Sequence, residues 1–441
     1  MKKALIFMIV FLTAFSMLFA SGSKEEAQAS TQANANVTAD DLKNANITLE
    51  LWHAQTKENG IALDKVVELF NETNEYGITV NATCQGGYSD THNKILSALA
   101  AGTAPNVGQA YNNNMMTYMP SGKLMDLTSY LDDDFGITKE ELSTVFPSYL
   151  EENKSFPDGR TYATSLGKST EVFFYNKTFF DEHNIAVPTT YDELAECAKK
   201  IASITGKPSV GFDSMDNLGI YGPVNFGARY ADTQGNLYLF DKDNLPKTMD
   251  FYKWWQKGIQ EGYFRTAGED RYCSGPFSSQ TLIAYIGSSA GTAYILPDGF
   301  EAAVTYSPVG VHPAVIQQGG NFCGFSSGDA LTDLATSIFL EFMYDAEASG
   351  LYAANTGYAP SNKAALETEA YKESIAKGGI GPEAKNISAT YPDNVLAYDP
   401  VFKNSYETRQ ALADIVEGIA LDKNADIESL IKQAQSNIAA L

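Results

Sequence analysis

Apolar and polar residues alternate with two different periods along the first part of the chain. The stretches with the period of strands are residues 47–52, 78–83 and 107–111. The stretches with the period of helices are residues 61–70, with an apolar stripe of Ile61, Val66, Val67 and Phe70, and residues 93–101. Gly102 follows the second helix at the position of a C-cap. This order of elements predicts a parallel sheet with helices on its faces.

The same alternation returns after residue 162. The predicted strands are residues 171–175 and 281–287, and the predicted helices include residues 249–260, 331–344 and 408–421. Thr190 and Glu193 have the spacing of a capping box, and Leu194, Ala198 and Ile201 line one face of the helix that follows. The chain therefore predicts two α/β lobes. In open sheets of this kind, ligands bind beyond the carboxyl ends of the strands.

The N-terminus has the pattern of an export signal. Lys2 and Lys3 precede an apolar run of 16 residues, and small residues follow from Ala20. We predict a cleavable signal peptide over residues 1–20 and a periplasmic or extracytoplasmic location. An N-terminal membrane anchor stays open as the alternative, although a bilayer span needs about 20 residues. Residues 21–45 are polar and lack aromatic side chains, so they predict a disordered linker.

The net charge and the cysteine positions argue against certain binding partners and against a zinc site. The formal net charge of −23 argues against nucleic acid or an anionic membrane surface, because both need a basic face. Cys84, Cys197, Cys273 and Cys323 are far apart and form no CxxC motif, so a zinc site is not expected. Their disulfide pairing after export stays open. Roughly 395 residues follow the linker, which favours two domains.

Motifs that resemble those of enzymes are incomplete. Residues 287–291 and 324–328 match the Gly-x-Ser-x-Gly of hydrolases, whose histidine follows the serine in sequence. No histidine follows Ser326, and only His312 follows Ser289, 23 residues later. Gly167-Lys168-Ser169-Thr170 resembles the end of a phosphate-binding loop, but Tyr162 stands where that motif needs glycine. We therefore predict no catalytic residue, no metal site and no cofactor.

Glycine, serine and tyrosine are concentrated after several predicted strands. The segments are residues 86–88, 167–170, 287–291, 319–320 and 357–358. Glycine allows backbone N–H groups to approach a ligand, and serine hydroxyls add further donors. Each segment by itself is also compatible with an ordinary turn. Their shared position favours a site that binds a small polar ligand.

Several stretches resemble the extracellular solute-binding proteins of ABC importers (family 1). The resemblance is carried by Leu51-Trp52-His53 and by residues 95–107, 174–177, 187–194 and 356–360. It implies a two-lobed periplasmic-binding-protein fold, type II-like, with the ligand in the cleft between lobes. The implied N-terminal lobe is residues 46–162 with about 310–358, and the C-terminal lobe is 163–309 with about 359–441. It also implies hinges near residues 162–170, 310–321 and 358–361.

The resemblance also implies that the protein is a monomer and that it delivers its ligand to an ABC permease, which an ATPase drives. Within the family the chain is most similar to the glycerol-3-phosphate-binding branch. The ligand-binding residues implied by that similarity are Tyr88, Asn112, Ser169, Ser288, Gly320, Tyr358 and Arg409. The implied ligand is sn-glycerol-3-phosphate or a glycerophosphodiester, with a sugar or oligosaccharide as the alternative.

Two observations bear on the choice between these ligands. The guanidinium of Arg409 suits a phosphate, which it can pair with bidentately. A surface salt bridge is the alternative role for an arginine on an amphipathic helix. Asn112 stands where the family has a glutamate that contacts hydroxyl groups, so the ligand's alcohol portion is expected to differ.

Overall fold

The predicted alternation of strands and helices is present in the folded chain. The computed structural model describes residues 37–132, 135–392 and 394–441. The strands are β1 (Thr48–His53), β2 (Thr79–Cys84), β3 (Val107–Ala110), β4 (Gly167–Asn176), β5 (Val210–Phe212), β6 (Phe264–Thr266), β7 (Ala284–Ser288), β8 (Ala302–Tyr306), β9 (Val315–Gln318), β10 (Asn321–Gly324), β11 (Ala359–Pro360) and β12 (Leu396–Ala397). The helices are α1 (Ala39–Ala45), α2 (Lys57–Thr73), α3 (Tyr88–Ala101), α4 (Asn112–Tyr118), α5 (Lys139–Thr144), α6 (Pro147–Asn153), α7 (Lys177–Glu182), α8 (Tyr191–Thr205), α9 (Met215–Asn225), α10 (Leu245–Gln260), α11 (Ser274–Ser278), α12 (Ala330–Phe342), α13 (Ala346–Ala354), α14 (Glu369–Ala376), α15 (Ile380–Thr390), α16 (Ser405–Leu421) and α17 (Ile427–Ala439).

One lobe is built on a four-stranded sheet in the order β10-β3-β1-β2. β1 pairs in parallel with β2 and β3, as the helical connections require, and β10 joins β3 in antiparallel orientation. Alternate residues of β1 are buried, among them Leu49 and Leu51, and α2 covers the sheet with Val66, Val67 and Phe70.

The other lobe is built on a larger mixed sheet in the order β12-β9-β4-β7-β5-β6. β4 pairs in antiparallel orientation with β7 and β8, whereas β5 pairs in parallel with β6 and β7. The core of this lobe includes Trp255, which is fully buried 5.2 Å from the ring of Phe212. The α/β, two-lobed prediction is thereby confirmed, and Trp255 belongs to the core rather than to a ligand site.

The start of β4 crosses between the two lobes and pairs with two neighbouring segments. Ser169 and Thr170 pair with Gln318 and Gln317 of β9, and Lys168 and Gly167 pair with Ala359 and Pro360 of β11. The three segments predicted as hinges therefore lie side by side. Residues 167–170 were predicted as a loop, and this is wrong, because they are hydrogen-bonded strand.

The structure differs from the sequence-based expectations at two further places. The predicted disordered linker extends to residue 45, but Ala39–Ala45 form α1, capped by Thr38 and anchored by the fully buried Leu42. The signal peptide and the rest of the linker, through residue 36, lie outside the described residues. Ile61 was placed on the buried stripe of α2, yet its side chain is 56% exposed. None of the helices in the described residues is long and apolar enough to cross a membrane.

Candidate functional site

A cluster of tyrosines gathers where the first sheet meets the crossing segments. The hydroxyl of Tyr88 accepts hydrogen bonds from the backbone N–H of Gly320 at 3.1 Å and from the side chain of Gln55 at 2.9 Å. The rings of Tyr88 and Tyr111 lie 4.7 Å apart, and Tyr358 contacts the Tyr88 hydroxyl. Tyr88, Gly320 and Tyr358, which were predicted separately, are therefore neighbours.

Burial keeps the hydroxyl groups of this tyrosine cluster neutral. It raises the pKa of Tyr88 and raises the pKa of Tyr111 and Tyr358 well above the ordinary value. A neutral phenol can both donate and accept a hydrogen bond. The cluster therefore presents uncharged polar groups and aromatic faces to its surroundings.

Two predicted serines meet on the second sheet. Ser288 donates a hydrogen bond to Ser169 with 3.0 Å between their hydroxyl oxygens. Ser288 lies directly across from Glu171 in the β4–β7 ladder. Side chains two residues apart on a strand share a face, so Ser169, Glu171 and Ser288 lie on the same side of the sheet.

Arg409 projects from α16 into a group of acidic side chains. Its guanidinium forms ion pairs with Asp216, in the first turn of α9, and with Asp399. It also donates to the side-chain oxygen of Asn217 at 2.9 Å. Only 11% of the Arg409 side chain is exposed. Three contacts of the Arg409 guanidinium are therefore already made within the protein.

The charges of this group shift pKa values in opposite directions. Burial would raise the pKa of Asp216, but the charge of Arg409 and hydrogen bonds from Ser214, Arg409 and Asn217 together lower it overall. Burial would likewise lower the pKa of Arg409, yet Asp216, Tyr230 and Tyr221 together raise it overall. Both groups thus remain ionised at neutral pH. The same two charges act on the Tyr111 hydroxyl, so the tyrosine cluster adjoins the arginine group.

Two acidic side chains in this region were not singled out from the sequence. Glu171 accepts a hydrogen bond from Asn217 at 3.0 Å, and burial raises its pKa to about 7. Asp213 follows β5 directly and accepts from the backbone N–H of Cys273 at 2.6 Å, and burial raises its pKa to about 6. A small cavity of about 10 Å³, lined by both, has room for about one water molecule.

Simple signals in the sequence point to both residues. Glu171 stands two positions after Ser169 on a strand, which places it on the same face. Asp213 stands at the carboxyl end of a strand in a parallel pair, where ligand-binding residues concentrate. Among the described residues, no three histidine, cysteine or acidic side chains are arranged to hold a metal ion.

Asn112 directly follows Tyr111 in the chain, and its side chain belongs to a buried network beside the crossing segments. Its side chain donates to the carbonyl of Glu152 at 2.9 Å and accepts from Asn321 at 2.8 Å. The Glu152 carboxylate also pairs with Lys168 at 2.6 Å. Burial lowers the pKa of Lys168, and Glu152 opposes that shift. Because the Asn112 amide is used within the protein, its geometry favours a structural contribution over direct ligand contact.

The four cysteines are all unpaired in the structure. Cys84 is exposed, whereas Cys197, Cys273 and Cys323 are buried. Burial raises the pKa of the Cys197 thiol to about 12. The buried thiols are therefore protonated and behave as small apolar side chains.

The protein has two lobes, each built on a sheet, and three adjacent segments cross between them. Hydrogen-bonding side chains come from both lobes. This arrangement is that of a two-lobed ligand-binding protein. The chain belongs to the family of bacterial extracellular solute-binding proteins, whose sequence profile matches residues 65–378. This confirms the resemblance found in the sequence. It also confirms the prediction that the protein binds a ligand rather than catalyses a reaction, because the family consists of binding proteins.

Known proteins similar to this chain fall into two ligand groups. The sn-glycerol-3-phosphate-binding periplasmic protein UgpB of Agrobacterium fabrum is 23% identical over 409 residues, covering 89% of both chains. The crystal structure of UgpB from Mycobacterium tuberculosis in complex with glycerophosphocholine has a TM-score of 0.74 at 18% identity, covering 89% of this chain and 98% of that one. Maltose-bound MalE3 of T. maritima has a TM-score of 0.72 at 17% identity, covering 90% and 100%. At these identities the structural similarity establishes the fold.

Proposed function

We propose that this chain is the substrate-binding component of an ABC import system and that it captures a neutral, hydroxyl-rich ligand, a sugar or an oligosaccharide. The observation that carries the choice of ligand is the pairing of Arg409 with Asp216 and Asp399. A phosphate that approached this guanidinium would compete with both carboxylates for it. Separating a buried ion pair costs about 3–5 kcal/mol when one charge is left without a partner.

The charges around Arg409 reinforce this argument. Besides Asp216 and Asp399, the acidic groups of Glu171 and Asp213 lie in the same region. One arginine surrounded by several carboxyl groups gives a site that repels an anion at close range, where salt screens poorly. Carboxylates are acceptors for hydroxyl groups, which a sugar supplies in number.

The tyrosine cluster suits the same class of ligand. Tyr88, Tyr111 and Tyr358 combine aromatic faces with neutral hydroxyl groups. Binding sites for small molecules are typically lined by aromatic side chains with a few polar groups that fix the ligand's orientation. A sugar ring offers apolar C–H faces for the rings and hydroxyls for the polar groups.

A phosphorylated glycerol compound, sn-glycerol-3-phosphate or a glycerophosphodiester, is the second candidate. It is favoured by the match of Arg409 and the predicted serines to the glycerol-3-phosphate-binding branch and by the names of the similar proteins. Of the two, the diester fits better, because it brings one negative charge towards the carboxylates of Asp216 and Asp399, whereas the monoester brings nearly two.

Calorimetric titration of the mature protein distinguishes the two candidates. The panel contains glucose, maltose, maltotriose, sn-glycerol-3-phosphate and glycerophosphocholine. We expect a sugar to bind at micromolar concentration and the two phosphates to bind at least tenfold more weakly. Tighter binding of either phosphate would replace the sugar proposal by the second candidate. No binding by any of the five would contradict the proposed ligand classes.

The remaining features of the proposal concern location and mechanism. An export signal over residues 1–20 supports a periplasmic or extracytoplasmic location. Closure of the lobe built on the β10-β3-β1-β2 sheet onto the lobe built on the larger mixed sheet would enclose the ligand. Hinge closure of this kind is the common mechanism of two-lobed binding proteins. The closed protein would then dock as a monomer on the permease, which an ATPase drives.

A further inference from the structure

We infer that Glu171 is a specificity-determining residue of this cleft. Its carboxyl group accepts a hydrogen bond from a hydroxyl of the ligand and disfavours an anionic group at the same place. This inference rests on the proposed function and names a residue that selects the ligand class within it.

The position of Glu171 on the sheet supports this assignment. It lies on β4 two residues beyond Ser169 and directly opposite Ser288 of β7. Ser169 and Ser288, which are predicted to contact ligand, share its face of the sheet and bond to each other at 3.0 Å. Glu171 is therefore the acidic side chain placed next to these two hydroxyl groups on that face of the sheet.

The hydrogen bonds of Glu171 leave it capacity for a ligand. Its Oε1 accepts from Asn217 at 3.0 Å, and Asn217 in turn accepts from Arg409 at 2.9 Å. Each carboxylate oxygen can accept about two hydrogen bonds. The side chain is half-buried beside the small cavity, so it is held in place without being closed off.

The groups around Glu171 explain why its charge matters. Asp213 and Asp216 raise its pKa, and Arg409 lowers it, while burial raises it most. Besides burial, the charge of Glu171 raises the pKa of three tyrosines: Tyr191 on α8, Tyr221 on α9 and Tyr391 just beyond α15. These phenols are neutral at physiological pH. Arg409 is therefore the cation among these neighbours, and it is already paired.

The substitution Glu171→Gln tests the inference, because it keeps the size and polarity of the side chain and removes the charge. We expect the tightest-binding sugar of the panel to lose at least tenfold in affinity. We also expect the ratio of glycerophosphocholine affinity to sugar affinity to rise at least tenfold. Glu171→Asp, which keeps a carboxylate, should restore the wild-type ratio. Glu301→Gln, at an exposed site whose side chain is 68% accessible, is the matched control and should change neither value.

The pH dependence of sugar affinity is a second readout that a merely structural residue would not change. Affinity of the wild-type protein should rise from pH 5.5 to 8.5 as Glu171 loses its proton, whereas Glu171→Gln should give a flatter profile. An unchanged affinity ratio, or identical pH profiles, overturns the inference and leaves the proposed function standing. If the wild-type protein binds a phosphate and no sugar, the proposed ligand class and this inference both fail.

Discussion

At the scale of single residues, Arg409 shows how partners decide the role of a side chain. The sequence places an arginine on a late amphipathic helix, which is compatible with phosphate binding or with a salt bridge. The structure places Asp216 and Asp399 against it. A guanidinium that already holds two carboxylates orients and neutralises them.

Replacing Arg409 by alanine should destabilise the protein, because two largely buried carboxylates lose their counter-charge. We expect the free energy of unfolding in urea to fall by about 3 kcal/mol. The variant Arg409→Ala combined with Asp216→Asn and Asp399→Asn should recover part of that loss. If Arg409→Ala leaves stability unchanged but weakens a phosphorylated ligand by about 2 kcal/mol, the arginine serves the ligand instead.

Stability should depend on pH through Glu171. Folding raises its pKa from the usual carboxyl value of 4.5 to about 7. The unfolded chain therefore releases this proton at lower pH than the folded chain does, so stability falls as pH rises from about 4.5 to 7 and then levels off. We expect the stability of Glu171→Gln relative to wild type to increase across this window. If denaturant unfolding gives the same pH dependence of stability for the two proteins, this prediction is contradicted.

At the scale of elements, β4 is the segment on which both the hinge and the site depend. Its first residues pair with β9 and β11, and its next residues carry Ser169 and Glu171. Close backbone contact at Gly167 makes this pairing possible, because an added Cβ would lie 2.7 Å from the carbonyl oxygen of Ala359.

Replacing Gly167 by alanine should therefore push β11 away from β4. We expect a loss of about 1–3 kcal/mol in the free energy of unfolding, as for overpacking in a core. Ligand affinity, measured by calorimetry, should fall with it, since Tyr358 precedes β11. Gly275→Ala is the matched control, because nothing lies within 4 Å of its added Cβ. Equal stability of the two variants would show that β11 adjusts freely.

At the scale of the whole molecule, the buried Lys168–Glu152 pair fixes the crossing segments to one another. Lys168 is on β4, Glu152 is on α6, and Asn321 of β10 also donates to Glu152 at 3.1 Å. A charged pair that is excluded from water tolerates few alternative geometries. The crossing region should therefore act as a defined hinge rather than as a loose linker.

Ligand binding should make the protein more compact. We expect the radius of gyration in solution X-ray scattering to decrease when the tightest-binding ligand of the panel is added, because the lobes close around it. The sugar or phosphate that gives no calorimetric signal serves as the control. An unchanged radius at saturating ligand would contradict hinge closure and would favour binding to a rigid cleft.

The periodicity of apolar residues was sufficient to predict the first three strands and several helices, whereas short strands such as β5, β6, β9 and β10 were not predicted. The strands β1, β2 and β3 and the capped helix α8 were predicted close to their observed bounds, because burial of one face imposes a regular spacing on the sequence. The family resemblance then implied the architecture. Composition alone did not anticipate α1, since its single buried Leu42 lies within a polar segment.

The sequence by itself determined the α/β type of the lobes and the family, and it singled out candidate residues of the cleft. Only the tertiary structure decided what surrounds them. Arg409 and Asp399 stand near each other in the chain, but Asp216 is almost 200 positions away, and no local pattern reports such a pairing. Likewise, the partners of Asn112 and Glu171 come from distant segments. Charge and hydrogen bonding depend on distance in space, so the preference of the site for a ligand follows from the fold.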